Sequence, residues 1–269
     1  MVEVAVQPNG RIVVAANAAA PGSGLPVYWF ARYLANGAVD PSFGTGGMTR
    51  IDMNGYVGAM ALQPDGKILA GGGGGAVVRL LSSGALDAGF GSGGVVRVPG
   101  SVTALTTQPD GKVAVGGMVN GGRNNDFALH RLLANGALDQ SFGVGGGVFL
   151  DSGGHDETSG LAVDAGGRIV AAGTAGIDGR YGVALVRVLP DGRLDPTFGE
   201  QGLALANLSG SDIETGLVLQ PDGKPVIAAT LDRTTATASL GRARVSSTCA
   251  IFTHETLAPQ RFGALLASK

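Results

Sequence analysis

The 269-residue chain holds 48 glycines and 12 prolines, about 22% together against a usual background of roughly 12%. No Gly-X-Y period runs through it, and 44% of residues are hydrophobic against 15% charged, which excludes collagen and argues against disorder. A net charge of −2 supplies neither the basic stripe of a nucleic-acid binder nor strong attraction to anionic membranes.

In chain order the first recurring string is Gln7-Pro8-Asn9-Gly10-Arg11. It returns as Gln63-Pro64-Asp65-Gly66-Lys67, as Gln108-Pro109-Asp110-Gly111-Lys112, in decayed form as Asp164-Ala165-Gly166-Gly167-Arg168, and as Gln220-Pro221-Asp222-Gly223-Lys224. The steps are 56, 45, 56 and 56 residues, which leaves room for about five units. Between these copies lies a second string: LANGAVDPSFGTGG at 34–47, LLSSGALDAGFGSGG at 80–94, LANGALDQSFGVGG at 133–146 and LPDGRLDPTFGEQG at 189–202. Its aspartates Asp40, Asp87, Asp139 and Asp195 each follow an arginine by eight residues: Arg32, Arg79, Arg131 and Arg187.

Each unit reads as four short strands. In the fourth they are predicted at Ser159–Val163, Ile169–Gly173, Val183–Leu189 and Gly202–Ala206. PDGK, LANG and LPDG are tight-turn signals, and the apolar segments are β-branched and four to seven residues long. Helical periodicity is nearly absent. Four strands repeated about five times predict an all-β fold, a β-propeller of about five four-stranded blades with the fifth degenerate or incomplete. A parallel β-helix is the competing repeat fold, but its rungs are shorter and more uniform. The repeat region spans 1–231, with units near 1–52, 53–98, 99–150, 151–207 and 208–231 onward. An aberrant segment follows over 232–269; it completes the last blade or is unrelated sequence finishing a chain cut from a longer array.

The alternation of LQPDGKI-type and LARLxADGxLDxSFGxGG-type strings resembles the delta-60 repeat family of bacterial proteins, over residues 1–231. More distantly, units such as GLAVDAGGRIVAAG resemble propellers with NHL-type or gluconolactonase-type repeats. That resemblance implies that the strand before each PDGK turn lines a central channel: Val4–Gln7, Met60–Gln63, Ala104–Gln108, Gly160–Asp164 and Gly216–Gln220. It implies a fold and no settled activity.

The repeated Arg–Asp pairs are read as ion pairs bracing each blade, and the phenylalanines Phe43, Phe90, Phe142 and Phe198 as plugs between blades. Residues that break the repeat carry more information. Asp151-Ser-Gly-Gly-His155-Asp156-Glu157-Thr158 precedes an inner strand in the fourth unit, and its counterpart in the fifth contains Asp212 and Glu214. If these loops open at the channel mouth, Asp156, Asp212 and Glu214 would gather around a divalent metal (calcium, zinc or manganese), with His155, Asp156 and Glu157 as candidate catalytic residues. The alternative is a solvated polar loop. The stretch Gly121-Gly-Arg-Asn-Asn-Asp126-Phe-Ala-Leu129 reads as a long polar loop between strands. Arg123, Asn125, Asp126, Arg180 and Tyr181, joined by Tyr28-Trp29, are the candidate ligand rim. His130 beside Arg131 reads as a packed or surface histidine.

Other motifs fail. There is no Gly-x-Ser-x-Gly elbow, and the Gly-Lys pairs lack the following Ser or Thr of a P-loop. Gly71 to Gly75 leads into a strand, not a helix. Cys249 is the only cysteine, so neither an internal disulfide nor a cysteine-rich zinc site is available. No apolar run reaches the roughly 18 residues of a membrane span, and MVEVAVQPNG is not a signal peptide. Two functional classes remain. One is a binding or scaffold propeller, with a small molecule or protein as partner and its ligand site at the channel or rim. The other is a metal-assisted hydrolase of esters or phosphoesters at the channel mouth. Open blade edges would favour a homodimer.

Overall fold

The computed structural model describes residues 2–19, 26–53, 55–177, 180–207, 215–230, 244–246 and 249–253. The described residues contain no α-helix, and no helix long and apolar enough to cross a membrane. Strands β1 (Val2–Val6), β2 (Ile12–Ala19), β3 (Pro26–Tyr33) and β4 (Met48–Ile51) form the first four-stranded sheet, in chain order. The second contains β5 (Val57–Leu62), β6 (Ile68–Gly72), β7 (Ala76–Leu80) and β8 (Val95–Arg97). The third contains β9 (Ser101–Thr107), β10 (Val113–Asn120), β11 (Asn125–Leu132) and β12 (Gly147–Leu150). The fourth contains β13 (Glu157–Val163), β14 (Ile169–Ile177), β15 (Arg180–Val188) and β16 (Leu203–Asn207). The fifth has β17 (Thr215–Leu219), β18 (Pro225–Thr230), β19 (Arg244–Ser246) and β20 (Cys249–Thr253), in the order β17-β18-β20-β19.

Five four-stranded sheets of this kind are the blades of an all-β propeller. The fifth departs from the chain-order pattern because its outermost place is taken by Arg244–Ser246, which precedes β20 in sequence. The stretch Leu257-Ala-Pro-Gln-Arg-Phe262-Gly263, a distorted echo of the second string, lies outside the described residues. In the fourth blade the central hairpin runs further than the sequence predicts. Its register continues without a break from Ile169↔Val188 to Ile177↔Arg180.

The chain divides into two compact units. One comprises Met1–Val115 with Leu132–Leu138, the other Gly116–Arg131 with Asp139–Lys269. In the first unit β5 lies beside both β1 and β9; in the second β13 lies beside β17. Within each unit the first strands of successive blades are therefore neighbours. Apolar side chains fill the seams. Tyr28, Phe30, Ile51 and Met53 of the first blade pack on Val57, Ile68, Ala76 and Val78 of the second. Tyr28, read above as part of a ligand rim, is a core residue with no exposed surface. Its hydroxyl sits deep enough for burial to push its pKa up to about 12.

The two recurring strings make one device. Arginine Nε donates to the aspartate eight residues on at 2.8 Å in all four copies: Arg32–Asp40, Arg79–Asp87, Arg131–Asp139 and Arg187–Asp195. A hydroxyl two residues after the aspartate completes its shell in three copies, Ser42, Ser141 and Thr197. The guanidinium lies over the ring of Phe43, Phe90, Phe142 or Phe198 at 4.4–4.8 Å. Its Nη1 then reaches the outer turn of the following blade and donates to a backbone carbonyl: Arg32 to Ser82, Arg79 to Ala134 and Arg131 to Pro190. The glycine after each phenylalanine repeats the link, Gly44 to Ser83, Gly91 to Asn135 and Gly143 to Asp191, each at 2.8 Å. The pair thus braces its own hairpin and also clasps the next blade.

Candidate functional site

The repeat-breaking residues of the third and fourth blades come together within the second unit. The β10–β11 connection is shorter than the sequence predicts, only Gly121–Asn124, and Asn125 and Asp126 already belong to β11. Gly121 N donates to Asn124 O at 2.8 Å, which folds the connection back on itself. The loop before β13 stacks against it. Asn124 Nδ2 donates to Gly153 O at 3.3 Å, and Asp156 N donates to Asn125 O at 2.7 Å. Asn125 Nδ2 lies 3.3 Å from His155 Nδ1, and His155 Nε2 lies 3.8 Å from Glu157 Oε2. Candidates assigned above to two roles, Asn125 and Asp126 as ligand contacts and His155, Asp156 and Glu157 as catalytic groups, therefore form one rim. Arg123 stands exposed on its outer side, and Tyr181 is half-buried on β15, paired with Gly176. Arg180 lies on β15, but its side chain, with Asp212 and Glu214, falls outside the described residues.

Asp156 is only 3% exposed. Its carboxylate accepts from Ser152 N at 2.7 Å, from Gly176 N at 2.9 Å and from the Ser152 hydroxyl. Burial pushes its pKa up; the Ser152 and Gly176 donors work against that rise, and Asp151 adds to it. Burial also raises Glu157, with His155 opposing. Asp126 is raised by burial and then by the charges of Asp151 and Asp156. The rim is thus an acidic surface whose carboxylates repel one another. Among the described residues no group of three or more histidines, cysteines, aspartates or glutamates has the geometry to hold a metal ion. His130, 2% exposed, packs edge-on against Phe149 with ring centroids 5.3 Å apart.

Relieving that repulsion has a measurable consequence. Asp126→Asn is expected to raise Tm by about 1–3 °C near neutral pH. The sign follows from linkage: a carboxyl whose folded pKa is raised opposes folding while ionised, and the penalty vanishes once both states are protonated. The gain should therefore disappear as pH falls below the ordinary carboxylate range, which thermal melts across an acid series would read.

Sequence reasoning missed the cavity beneath this rim. It is a half-open cavity of about 370 Å³ between β11–β12 and β14–β16 of the second unit. Its walls are apolar, chiefly Phe127, Leu150, Ala175, Ala184, Leu203 and Leu205, with Ser152 and Asp156 toward one end and Glu200 and Gln201 toward the other. The register fixes those ends: Gly176, bonded to Asp156, pairs with Tyr181 at the start of β15, whereas Leu203, bonded to Glu200, pairs with Val186 near its end. Gln201 is the only described residue other than glycine with positive φ, +53°. It stands where the other corners have Gly46, Gly93 and Gly145. A comparison of that position across the four strings would have flagged it.

The chain matches a protein family described as a β-propeller domain of unknown function, DUF5122, over residues 7–43, 63–90, 108–142 and 167–198. These segments together span just under half of the chain. No curated protein matches. Among solved structures the chain is similar to Sqt1 of Chaetomium thermophilum at 14% identity and TM-score 0.47, covering 85% of this chain and 64% of that one. It is similar to U3-55K at 11% identity and TM-score 0.44, covering 93% and 97%. It is also similar to extracellular domains 1-2 of Drosophila Semaphorin 1b at 10% identity and TM-score 0.41, covering 94% and 65%. The four matched segments coincide with the four blades that carry the Arg–Asp–Phe clasp, and the chain is a β-propeller repeat protein.

Proposed function

We propose that this propeller acts by binding rather than by catalysis, with a small molecule or a protein segment held at the rim of the third and fourth blades. One observation carries the reading. The polar residues that break the repeat are joined loop to loop by backbone bonds, Asp156 N to Asn125 O above all, so the rim is organised before any ligand arrives. A preformed polar rim above an apolar cavity is the usual form of a small-ligand site. A thermal-shift screen against a metabolite library tests this. Hits should raise Tm by linkage, and Asn125→Ala and His155→Ala should abolish the shift while leaving the unliganded Tm nearly unchanged. Robust turnover of p-nitrophenyl esters or phosphodiesters, lost in His155→Ala, would overturn the reading in favour of a hydrolase.

A further inference from the structure

The seam between the first two blades shows one way in which this repeat closes, with a methionine where the second blade has Gly100. Tyr28, Phe30, Ile51 and Met53 stand 4 and 2 residues before and 19 and 21 residues after Arg32. All four belong to one buried cluster. Counting in the same way from Arg131 gives Phe127, Leu129, Leu150 and Ser152. Three positions remain apolar. The fourth exchanges a long thioether for a serine, and that serine holds the buried carboxylate of Asp156. The opposing wall is the same in both seams: Ala184 and Val186 stand 3 and 1 residues before Arg187, as Ala76 and Val78 stand before Arg79. Relative to the first seam, the cavity includes the space that Met53 fills there, and it has a negative group at one end.

The charge at that end is one-sided. Asp156 accepts from two backbone N–H groups and a serine hydroxyl, and among the described residues no lysine, arginine or histidine pairs with it. The charges of Asp126 and Asp151, which also bear on this part of the rim, are of the same sign. A buried anion without a counter-charge gains most from a cation brought to it. Between that end and the far end at Glu200 and Gln201, the walls are mostly leucine, alanine, valine and phenylalanine, which suit a hydrocarbon body.

We propose that the cavity between β11–β12 and β14–β16 binds a small ligand with a single ammonium head and an aliphatic or aromatic body, the head at Asp156 and the body along Ala184 toward Leu203. This deepens the binding reading above and rests on it. The head is positioned by the carboxylate, and the body replaces the missing methionine volume.

Isothermal titration with n-hexylamine, 1-hexanol and hexanoate tests the assignment. Hexylammonium should bind at least about tenfold more tightly than hexanol, and hexanoate should not bind. Asp156→Asn should bring the amine and the alcohol to equal affinity. Ala184→Leu, which fills the cavity from a residue outside the carboxylate network, should abolish binding of both and raise Tm. Hexanol and hexylamine binding equally to the unaltered protein would overturn the ammonium class while leaving a binding propeller standing. Uptake of the amine that survives Ala184→Leu would overturn the site itself. Should Asp156→Asn fail to fold, the amine-to-alcohol ratio and Ala184→Leu decide without it. The thermal shifts lost in Asn125→Ala report on the rim separately.

Discussion

Replacing Arg131 by alanine is expected to cost about 3–5 kcal/mol of folding stability, read as a fall in the denaturant midpoint. The guanidinium makes three kinds of contact at once. Nε donates to Asp139 at 2.8 Å, Nη1 to the Pro190 carbonyl, and the planar group covers Phe142 at 4.4 Å. Truncation takes the guanidinium away from Asp139, which is 5% exposed, and weakening the pairing of a buried carboxylate is the costly part. Arg131→Lys should recover only part of the loss, because an ammonium lacks the fork that serves the carboxylate and the carbonyl together. The clasp also sets an acid limit. Burial pulls the Asp139 pKa upward, but hydrogen bonds from Ser141 and the charge of Arg131 outweigh that and hold it at about 2. A depressed folded pKa contributes stability that is complete above the unfolded value of 3.8 and lost as pH falls toward 2. Asp40, Asp87 and Asp195 are lowered in the same direction. Denaturation series between about pH 4 and pH 2 should show the steep acid limb of the parent protein flattened in Arg131→Ala. An unchanged midpoint in that variant would mean that the clasp is ornamental to the fold.

The bracing role of these pairs was legible because their spacing is local. Backbone bonds from Asp40 N to Arg32 O and from Asp139 N to Arg131 O, at 2.9 and 2.8 Å, fix the offset of eight within one hairpin. The reach to the next blade was not legible. It spans 50, 55 and 59 residues and ends on backbone carbonyls of Ser82, Ala134 and Pro190, so no side-chain identity recurs to announce it. The same asymmetry applies to the site. His155, Asp156 and Glu157 stood out as departures from the repeat, but their joining with Asn125 depends on how loops of consecutive blades stack. Asp156 is an acidic residue beside a histidine, which reads as a metal ligand in sequence. In the structure its oxygens are already engaged by Ser152 and Gly176. Tyr28 followed by Trp29 reads as an exposed aromatic pair, yet a half-buried strand turns alternate residues inward, and Tyr28 faces the core. The cavity was latent in the alignment of one blade on another, at Met53 against Ser152. It became visible only when that position was seen to lie in a seam.

Gly192→Ala should lower stability by about 2–4 kcal/mol, whereas Gly37→Ala should cost only about 1–2 kcal/mol. Both glycines occupy the same turn of the repeat with nearly the same φ, +85° and +84°. The left-handed backbone penalises alanine equally at both. Their surroundings differ. A Cβ on Gly192 would stand 2.3 Å from the backbone nitrogen of Gly143, which donates to Asp191 O. A Cβ on Gly37 would meet nothing within 4 Å among the described residues. The two variants therefore separate what the turn demands from what the seam demands. Gly84 and Gly136, with Cβ positions 2.9 Å from Gly44 N and Gly91 N, should fall with Gly192 and not with Gly37. Equal losses at Gly37 and Gly192 would show that the corner of one blade yields freely to the turn of the next. A graded series would show the opposite: that this glycine is required at the turn first for its backbone conformation and then, wherever a preceding blade's corner covers it, for the absence of a side chain.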